Sequence, residues 1–428
     1  MNFNPEIFRA YDIRGIYEKD FDSDFAFSLG AALVSYLNRT NFLVAHDGRG
    51  FSHDLARAVM RGMASAGADV QYLHLATLPF FNFAFRELGV NGGIMVTASH
   101  NAPEYGGFKI FGDGGDIIGS DSGLKNIKDL ISGSDYESSR YGGKINQLDG
   151  GKIMDKYLDF AIKNSGVSEK DFEEVSIKVD GPELVNKELG RLLEKLGIKS
   201  REKDFDISFS FDADGDRLYV FDRNGQRVRA DHVLGLFVQD KISFWHKPKV
   251  VYDFRISRGV LEKFKEWRAK AFRSKVGRGF VRGEAKKHAA DISGELSGHF
   301  FFKENNYSEM PLMALLLLVR ILSDKGKGVA ELIEQFKTWF VSEEINIDFE
   351  GGLEEFSDVV SKVKDKFDGA ELDELDGITV SYKDWWFNLR PSNTEPLLRL
   401  TVEAKTKNLL MEKVKELRKL EEQITAVD

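Results

Sequence analysis

An apolar run that ends in a polar loop constrains the fold of this chain more than any other feature. Residues 93–96 are Gly-Ile-Met-Val, which is typical of a buried strand, and residues 97–101 are Thr-Ala-Ser-His-Asn. Pro103 and the pair Gly106-Gly107 continue the loop. In α/β sheets, the carboxyl ends of the strands are where the chemistry lies. We therefore expect an exposed, rigidly held Ser99, with an ordinary serine in a polar turn as the alternative.

A second polar stretch places three carboxylates at alternate positions: Asp212, Asp214 and Asp216. In a loop they can converge on one hard cation, and a phosphate oxygen can complete its shell. An EF-hand loop would need glycine at its sixth position and glutamate at its twelfth, where this chain has Arg217 and Arg223. Because carboxylates on a tight loop repel one another unless a cation joins them, we favour a metal site over a solvated acidic turn.

Composition narrows the class of protein. A length of 428 residues suggests roughly three domains, and 42% hydrophobic with 30% charged residues is typical of a globular protein. The net charge of −9 argues against a nucleic-acid partner, and the absence of cysteine excludes disulfides and thiolate chemistry. The most apolar run, residues 312–319, is too short to span a bilayer. We therefore expect a soluble, cytoplasmic protein without a membrane partner.

Strand and helix patterns alternate along most of the chain, which predicts mostly parallel sheets flanked by helices. We predict strands at residues 42–45, 93–96, 175–179, 206–211, 250–253, 344–349, within 378–388 and at 397–404. We predict helices at residues 55–66, 182–196, 233–242, 257–269, 311–322, 353–367 and at the C-terminus. Asn224-Gly225 predicts a hairpin, and the Gly/Ser-rich stretch 132–151 predicts a first, irregular domain boundary.

Four stretches, in this order, resemble the motifs of the α-D-phosphohexomutases (phosphomannomutase/phosphoglucomutase): residues 97–109, 212–217, 294–299 and 390–396. The resemblance extends over nearly the whole chain. It implies an α/β protein with three similar domains of mixed sheets and a C-terminal α+β lid domain around a central cleft. The implied domains are 1–149 with the phosphoserine loop, 150–230 with the metal loop (shortened), 231–343 with the sugar-binding loop, and 344–428 with the phosphate-binding loop.

The resemblance also implies a mechanism. Phosphorylated Ser99 gives its phosphoryl group to a hexose phosphate, the resulting 1,6-bisphosphate turns round, and its other phosphoryl group returns to Ser99. One Mg²⁺ per chain is held by Ser99 and the three aspartates, and hexose 1,6-bisphosphate acts as activator. Arg14, Lys109 and Arg217 are the candidates for electrostatic help or proton transfer, with the general base left open.

The implied substrate contacts lie in three further segments. Residues equivalent to Glu295 and Ser297 bind sugar hydroxyls, and the apolar Leu296 between them resembles mannose and glucose members rather than glucosamine members. The loop at Arg390 holds the phosphate that is not being transferred, with Arg399 nearby. The full set implied by the resemblance is Tyr11, Arg282, Glu295, Ser297, His299, Arg390, Ser392, Asn393 and Thr394.

Some residues depart from the family pattern. Arg278 and Arg282 stand where the family usually has histidine and lysine, and residues 308–310 are Ser-Glu-Met instead of Asp-Asp-Gly. The Asp-Gly-Arg turn at residues 47–49 and His100 are expected to shape the serine loop rather than react. These departures leave the preferred hexose open, and phosphoglucosamine mutase stays an alternative.

Two other classes remain as alternatives. A serine phosphatase with metal carboxylates would need further metal-ligand histidines, and the eight histidines show no such clustering. A silent sugar-phosphate sensor would have no need for Ser99, Lys109 and all three aspartates. We expect small-molecule hexose phosphates as partners, and a monomer or weak homodimer.

Overall fold

The computed structural model describes residues 3–99, 101–136, 139, 142–198, 205–242, 247–349, 351–392 and 396–424, with the backbone alone at 353, 354 and 420–424. The chain forms two compact units. The first unit comprises Met1–Arg227 and His299–Gly326, and the second comprises Val228–Gly298 and Lys327–Asp428. Within the described residues, no helix is both long and apolar enough to cross a membrane.

The elements alternate between strand and helix in the first half of the chain. In chain order they are β1 (Ile13–Ile16), α1 (Ser23–Leu37), β2 (Asn41–His46), α2 (Ser52–Ser65), β3 (Asp69–Leu75), α3 (Leu78–Leu88), β4 (Gly92–Val96), β5 (Tyr105–Phe111), α4 (Leu124–Gly133), β6 (Ile145–Gln147), α5 (Gly150–Ser165), α6 (Glu169–Glu174), β7 (Ile177–Asp180), α7 (Glu183–Lys195), β8 (Ile207–Phe211), β9 (Leu218–Asp222) and β10 (Arg227–Val228).

The second half continues with α8 (Ala230–Ile242), β11 (Lys249–Asp253), α9 (Arg258–Glu266), β12 (Lys270–Ser274), α10 (Arg278–His288), β13 (Ile292–Gly294), β14 (Phe300–Phe302), β15 (Ser308–Glu309), α11 (Pro311–Lys325), α12 (Val329–Leu332), β16 (Phe340–Val341), β17 (Ile345–Asp348), α13 (Leu353–Lys366), β18 (Glu371–Asp373), β19 (Ile378–Ser381), β20 (Trp385–Pro391), β21 (Leu397–Ala404) and α14 (Lys407–Ile424). Short 3-10 turns occur at Pro5–Ile7, Asp113–Gly115, Ser120–Ser122, Lys303–Asn305 and Ile333–Phe336.

The first sheet has the strand order β1-β5-β4-β2-β3-β6. β2 pairs in parallel with β3 and β4, whereas β5 is antiparallel to β4 and to β1. Helices α1 and α2 approach each other so closely that a Cβ on Gly62 would lie 1.8 Å from the Phe27 carbonyl oxygen. Only glycine fits at this position. The sheet is thus mixed, as predicted, and β4 delivers the serine loop at its carboxyl end.

The stretch 132–151, predicted as irregular, contains a strand. β6 pairs in parallel with β3, and α5 begins at Gly150. The strand escaped prediction because its three residues, Ile145, Asn146 and Gln147, are all exposed and too few to show a hydrophobic period. The turn at Asn224-Gly225 closes as predicted, with the Asp222 N–H donating to the Gln226 carbonyl at 2.9 Å and Gly225 at φ +76.

In the second unit, β11 pairs in parallel with β12 and β13, and α10 follows β12. The C-terminal sheet has the order β16-β21-β20-β19-β18 with β17 also on β21, and its pairings are antiparallel. The predicted C-terminal helix, α14, contacts the core of this sheet through Leu409, Leu410, Val414 and the buried Leu417. The observed α/β class, with several mixed sheets and an α+β C-terminal part, confirms the predicted fold class.

Candidate active site

The loop after β4 holds Ser99 in an unusual backbone conformation. Ser99 has φ +52, and its N–H donates to Thr97 Oγ1 at 3.0 Å. The Arg49 guanidinium donates to the carbonyl oxygens of Ser99, Asn101 and Ala102 at 2.8, 2.8 and 2.7 Å. The prediction that the 47–49 turn supports the serine loop is therefore confirmed. His100 lies outside the described residues.

Ser99 is not exposed, which corrects the prediction from the sequence. Only 4% of the residue is accessible, because the metal loop of residues 212–216 covers it within the first unit. The Ser99 hydroxyl donates to Asp214 Oδ1 at 3.1 Å. Lys109, on β5, reaches the same loop and places Nζ 2.6 Å from Asp214 Oδ2 and 3.3 Å from Asp216 Oδ2. The fold thus brings together the serine, the lysine and the aspartates.

The three aspartates of the loop are arranged for one cation. Their carboxylate oxygens lie within 4.8 Å of one another. Asp212 Oδ1 accepts the N–H groups of Asp216 and Arg217, both at 3.1 Å, but its buried Oδ2 has no hydrogen-bond partner among the described residues. Burial, and then the charges of Asp216 and Asp214, raise the pKa of Asp212 to about 8. These ligands are all oxygen atoms, and the site carries more negative than positive charge. Both properties suit a hard divalent cation such as Mg²⁺.

Arg217 and His299 flank the aspartates. Arg217 Nε lies 3.5 Å from Asp212 Oδ2, and the acidic neighbours hold the pKa of this guanidinium above its usual range against the effect of burial. His299 Nε2 lies 3.2 Å from Asp216 Oδ1 and 3.4 Å from Arg217 Nε. His299, predicted to bind the sugar, therefore contacts the metal loop.

Arg14 is tied to the serine loop from the N-terminal segment. Its Nε and Nη2 bind Asp12 Oδ2 at 2.8 and 2.7 Å, and Nη1 donates to Asn101 Oδ1 at 2.7 Å. Tyr11 lies three residues earlier and is half-buried. Arg14 thus has a fixed direction beside the loop, as electrostatic catalysis requires.

In the second unit, the predicted sugar loop is held by its backbone and by a carboxylate. Glu295 is 3% exposed, and its Oε1 accepts the Gly277 N–H at 2.8 Å. The Leu296 N–H donates to Asp253 Oδ2 at 2.7 Å, and Asp253 is in turn paired with Arg255 through two hydrogen bonds of 3.0 and 2.7 Å. Sequence reasoning missed Asp253 and Arg255, although both stand at the carboxyl end of a predicted strand.

The remaining predicted contacts of this unit lie on α10 and β20. Arg282 is 9% exposed, and it stands one turn after Arg278 on α10. Arg390 is the penultimate residue of β20 and is buried, with Nη2 3.5 Å from Glu344 Oε2. Arg399 Nη1 binds Glu344 Oε1 at 2.7 Å. Ser297 and Ser392 are half-buried on their loops. Asn393 and Thr394 lie outside the described residues.

The buried serine that faces a carboxylate loop and a lysine, in an α/β fold, is an arrangement suited to phosphoryl transfer, and the comparisons with known proteins identify the class. Models of three phosphoglucomutase/phosphomannomutase domains match the chain: α/β/α domain I over residues 5–138, α/β/α domain III over 229–339 and the C-terminal domain over 344–420. A phosphomannomutase of Methanocaldococcus jannaschii is 32% identical, covering 97% of both chains. One from Escherichia coli is 28% identical, covering 95% of this chain and 96% of that one.

A solved structure agrees with these relatives. A phosphoglucomutase/phosphomannomutase family protein from Burkholderia thailandensis has a TM-score of 0.85 at 25% identity, covering 99% of this chain and 98% of that chain. The chain therefore belongs to the phosphoglucomutase/phosphomannomutase family, as the four sequence motifs predicted.

Proposed function

We propose that this enzyme interconverts hexose 6-phosphate and hexose 1-phosphate, with mannose, glucose or both as the sugar, through phosphorylated Ser99 and a 1,6-bisphosphate. The observation that carries the proposal is the hydrogen bond of 3.1 Å from Ser99 Oγ to the buried carboxylate of Asp214, which also accepts from Lys109 Nζ at 2.6 Å. The phosphomannomutase relatives match over nearly the full length of both chains. This supports an isomerase that transfers phosphoryl groups within its substrate.

The chemistry at Ser99 runs in two half-reactions. In the first, a sugar hydroxyl oxygen attacks the phosphorus on Ser99, the bond from phosphorus to Oγ breaks, and the hydroxyl proton passes to a base. The departing Oγ takes up a proton at the end of this step. In the second half-reaction, Oγ gives that proton to a base and attacks the phosphorus at the other end of the bisphosphate, the bond from phosphorus to the sugar oxygen breaks, and this oxygen takes a proton. Burial of Ser99 keeps water from the phosphoserine, so that transfer to a sugar is favoured over hydrolysis.

The positive side chains around Ser99 offset most of the negative charge of the three aspartates. Lys109 and Arg217 offset two of the three carboxylates, so this set of five side chains carries a formal charge of −1 (three negative and two positive). Mg²⁺, held by the three aspartates and an oxygen of phosphorylated Ser99, would neutralise charge on the transferring group. Arg14, Lys109 and Arg217 are our candidates for stabilising that charge or moving the proton.

The proposed substrate contacts are the ones that the family resemblance implied. Glu295 and Ser297 would hold sugar hydroxyls, and the apolar Leu296 between them favours mannose or glucose over glucosamine. The guanidinium of Arg390 suits the phosphate that is not being transferred. The remaining residues proposed to contact the substrate are Tyr11, Arg282, His299, Ser392, Asn393 and Thr394.

An assay with sugar 1-phosphates tests the function. Mannose 1-phosphate and glucose 1-phosphate are each supplied with Mg²⁺ and a trace of the matching 1,6-bisphosphate as activator. The proposal expects the 6-phosphate isomer without free phosphate. Release of inorganic phosphate would identify a phosphatase, and no turnover would identify a sensor; either result refutes the proposal. A higher kcat/KM for glucosamine 1-phosphate would refute the proposed sugar preference alone.

Two finer features belong to the same proposal. The enzyme acts in the cytoplasm, because phosphorylated sugars are charged and do not cross a bilayer unaided. It works as a monomer or weak homodimer, since every group invoked belongs to a single chain. Sedimentation velocity over a hundredfold range of concentration measures that state, and a tight higher oligomer would contradict it.

A further inference from the structure

A buried carboxylic acid lies behind the metal loop and is not used by the proposed chemistry. Glu188, on α7, accepts a hydrogen bond from the Thr77 hydroxyl at Oε1, with a distance of 2.7 Å. Glu188 is 8% exposed and Thr77 is 3% exposed. Tyr157 of α5 is also buried and packs against Phe80 of α3, with ring centroids 5.6 Å apart and the ring planes tilted by 50°. Burying a carboxyl group in such apolar surroundings costs free energy of folding. A specific role would explain its presence.

Thr77 connects this carboxyl group to the metal loop. It is the N-cap of α3, and its Oγ1 also accepts the Phe80 N–H at 3.3 Å. The next residue, Leu78, donates its N–H to the Asp214 carbonyl oxygen at 3.0 Å. The start of α3 therefore holds the backbone of the residue whose carboxylate contacts Ser99.

The following residue of the loop packs against the same pair of elements. Gly215 has φ +73, and a Cβ built on it would lie 2.9 Å from Val185 Cγ2 and 3.4 Å from Thr77 Cγ2. Val185 stands three residues before Glu188 on α7, so both side chains lie on one face of that helix. The loop thus packs against Thr77 at the start of α3 and against Val185 on α7. The hydrogen bond from Thr77 to Glu188 connects these two helices.

We propose that Glu188 is a positioning residue for the metal loop, acting through Thr77. The hydrogen bond from Thr77 fixes the rotamer of its side chain and the start of α3, and hence the position of Asp214. The inference rests on the proposed role of the loop as a metal site. It adds a residue that touches neither metal nor substrate but sets how tightly the loop binds a cation.

The state of the carboxyl group indicates the conservative variant. Burial raises the pKa of Glu188 to about 8, despite the opposing effect of the hydrogen bond from Thr77. At pH 7 the side chain is therefore mostly a neutral acid, and its carbonyl oxygen accepts from Thr77. Glutamine has the same shape and the same acceptor, so Glu188→Gln should keep the contact, whereas Glu188→Leu removes it.

The test measures Mn²⁺ affinity by electron paramagnetic resonance on the full chain without substrate, and then kcat and KM with Mg²⁺. Thr77→Val keeps the shape and the methyl contact to Gly215 but loses the hydroxyl. We expect Thr77→Val and Glu188→Leu each to weaken Mn²⁺ binding by about three- to tenfold and to lower kcat by about tenfold. KM for the sugar phosphate should stay within about twofold of the wild-type value, because no substrate contact is changed.

Three controls separate positioning from loss of packing. Glu188→Gln should keep the wild-type Mn²⁺ affinity. Tyr157→Phe, which alters a neighbouring buried polar group, should keep it as well. The double variant Thr77→Val/Glu188→Leu should be no worse than Thr77→Val alone, since Thr77→Val already removes the bond to Glu188 as well as the cap on the Phe80 N–H. Wild-type Mn²⁺ affinity in folded Thr77→Val would overturn the inference even if Glu188→Leu does not fold. If the wild type binds Mn²⁺ but shows no mutase activity, the proposed function is wrong and the inference about Glu188 is not affected.

Discussion

The metal loop should lower the free energy of unfolding of the metal-free protein, and Asp212 should account for most of this decrease. Lys109 forms close ion pairs with Asp214 and Asp216, whereas the ion pair between Asp212 and Arg217 is longer, with Arg217 Nε 3.5 Å from Asp212 Oδ2. Burial and the neighbouring carboxylates raise the pKa of Asp212 from 3.8 to about 8. Between these two values the folded protein keeps a proton that the unfolded chain releases. The free energy of unfolding therefore falls by about 1.4 kcal/mol for each pH unit, or about 4 kcal/mol by pH 7.

The substitution Asp212→Asn tests this reasoning. Asparagine keeps an Oδ1 that accepts the N–H groups of Asp216 and Arg217, and it removes the charge. At pH 7 in a chelator, we expect the variant to be about 2–4 kcal/mol more stable than the wild type, the lower value allowing for the lost attraction to Arg217. In excess Mg²⁺ the wild type should gain stability, whereas the variant should gain little.

Thermal melts in a chelator at pH 5, 6, 7 and 8 provide the assay. The wild-type melting temperature should fall across this range, and that of Asp212→Asn should fall less steeply, because the raised pKa of Glu188 still contributes to this slope whereas that of Asp212 no longer does. Asp180→Asn, which removes an exposed carboxylate from the end of β7, is the matched control and should follow the wild type. A metal-free Asp212→Asn variant that melts below the wild type at pH 7, or that shows the same pH dependence, would refute the electrostatic reasoning.

Two further substitutions test the serine loop and the phosphate site. Arg49→Met removes three hydrogen bonds to loop carbonyls, so kcat should fall at least tenfold while Mn²⁺ affinity is unchanged; an unchanged kcat would contradict the supporting role. Arg390→Ala should raise KM strongly and release more 1,6-bisphosphate into solution, as measured by quenched-reaction chromatography, whereas the exposed Arg227→Ala should do neither. Unaltered KM and no bisphosphate release would place the distal phosphate elsewhere.

The parts of the site that sequence predicted are those carried by short contiguous motifs. The strand before Ser99 and the three aspartates follow from local patterns, and the structure brings them together with Lys109, which the family resemblance implied. The burial of Ser99 was not predictable, because it depends on a loop more than a hundred residues further along the chain.

The supporting contacts were beyond sequence reasoning for a related reason. Glu188 resembles any polar residue on an amphipathic helix, and only the packing of α7 shows that it is buried against Thr77. Asp253 ends a predicted strand, yet its role appears only when the Leu296 N–H is found on its carboxylate. Such residues have no motif, because the partners that give them a role are distant in sequence.

The phosphorylation state of Ser99 tests the account most directly. Intact-mass and peptide mass spectrometry on the purified protein should find a phosphorylated fraction that maps to Ser99, because the loop carries the phosphoryl group between cycles and burial protects it from water. Incubation with glucose 1,6-bisphosphate should raise that fraction, and Ser99→Ala should abolish both the label and the isomerase activity. An active Ser99→Ala enzyme, or a stable phosphate on a different residue, would contradict the account.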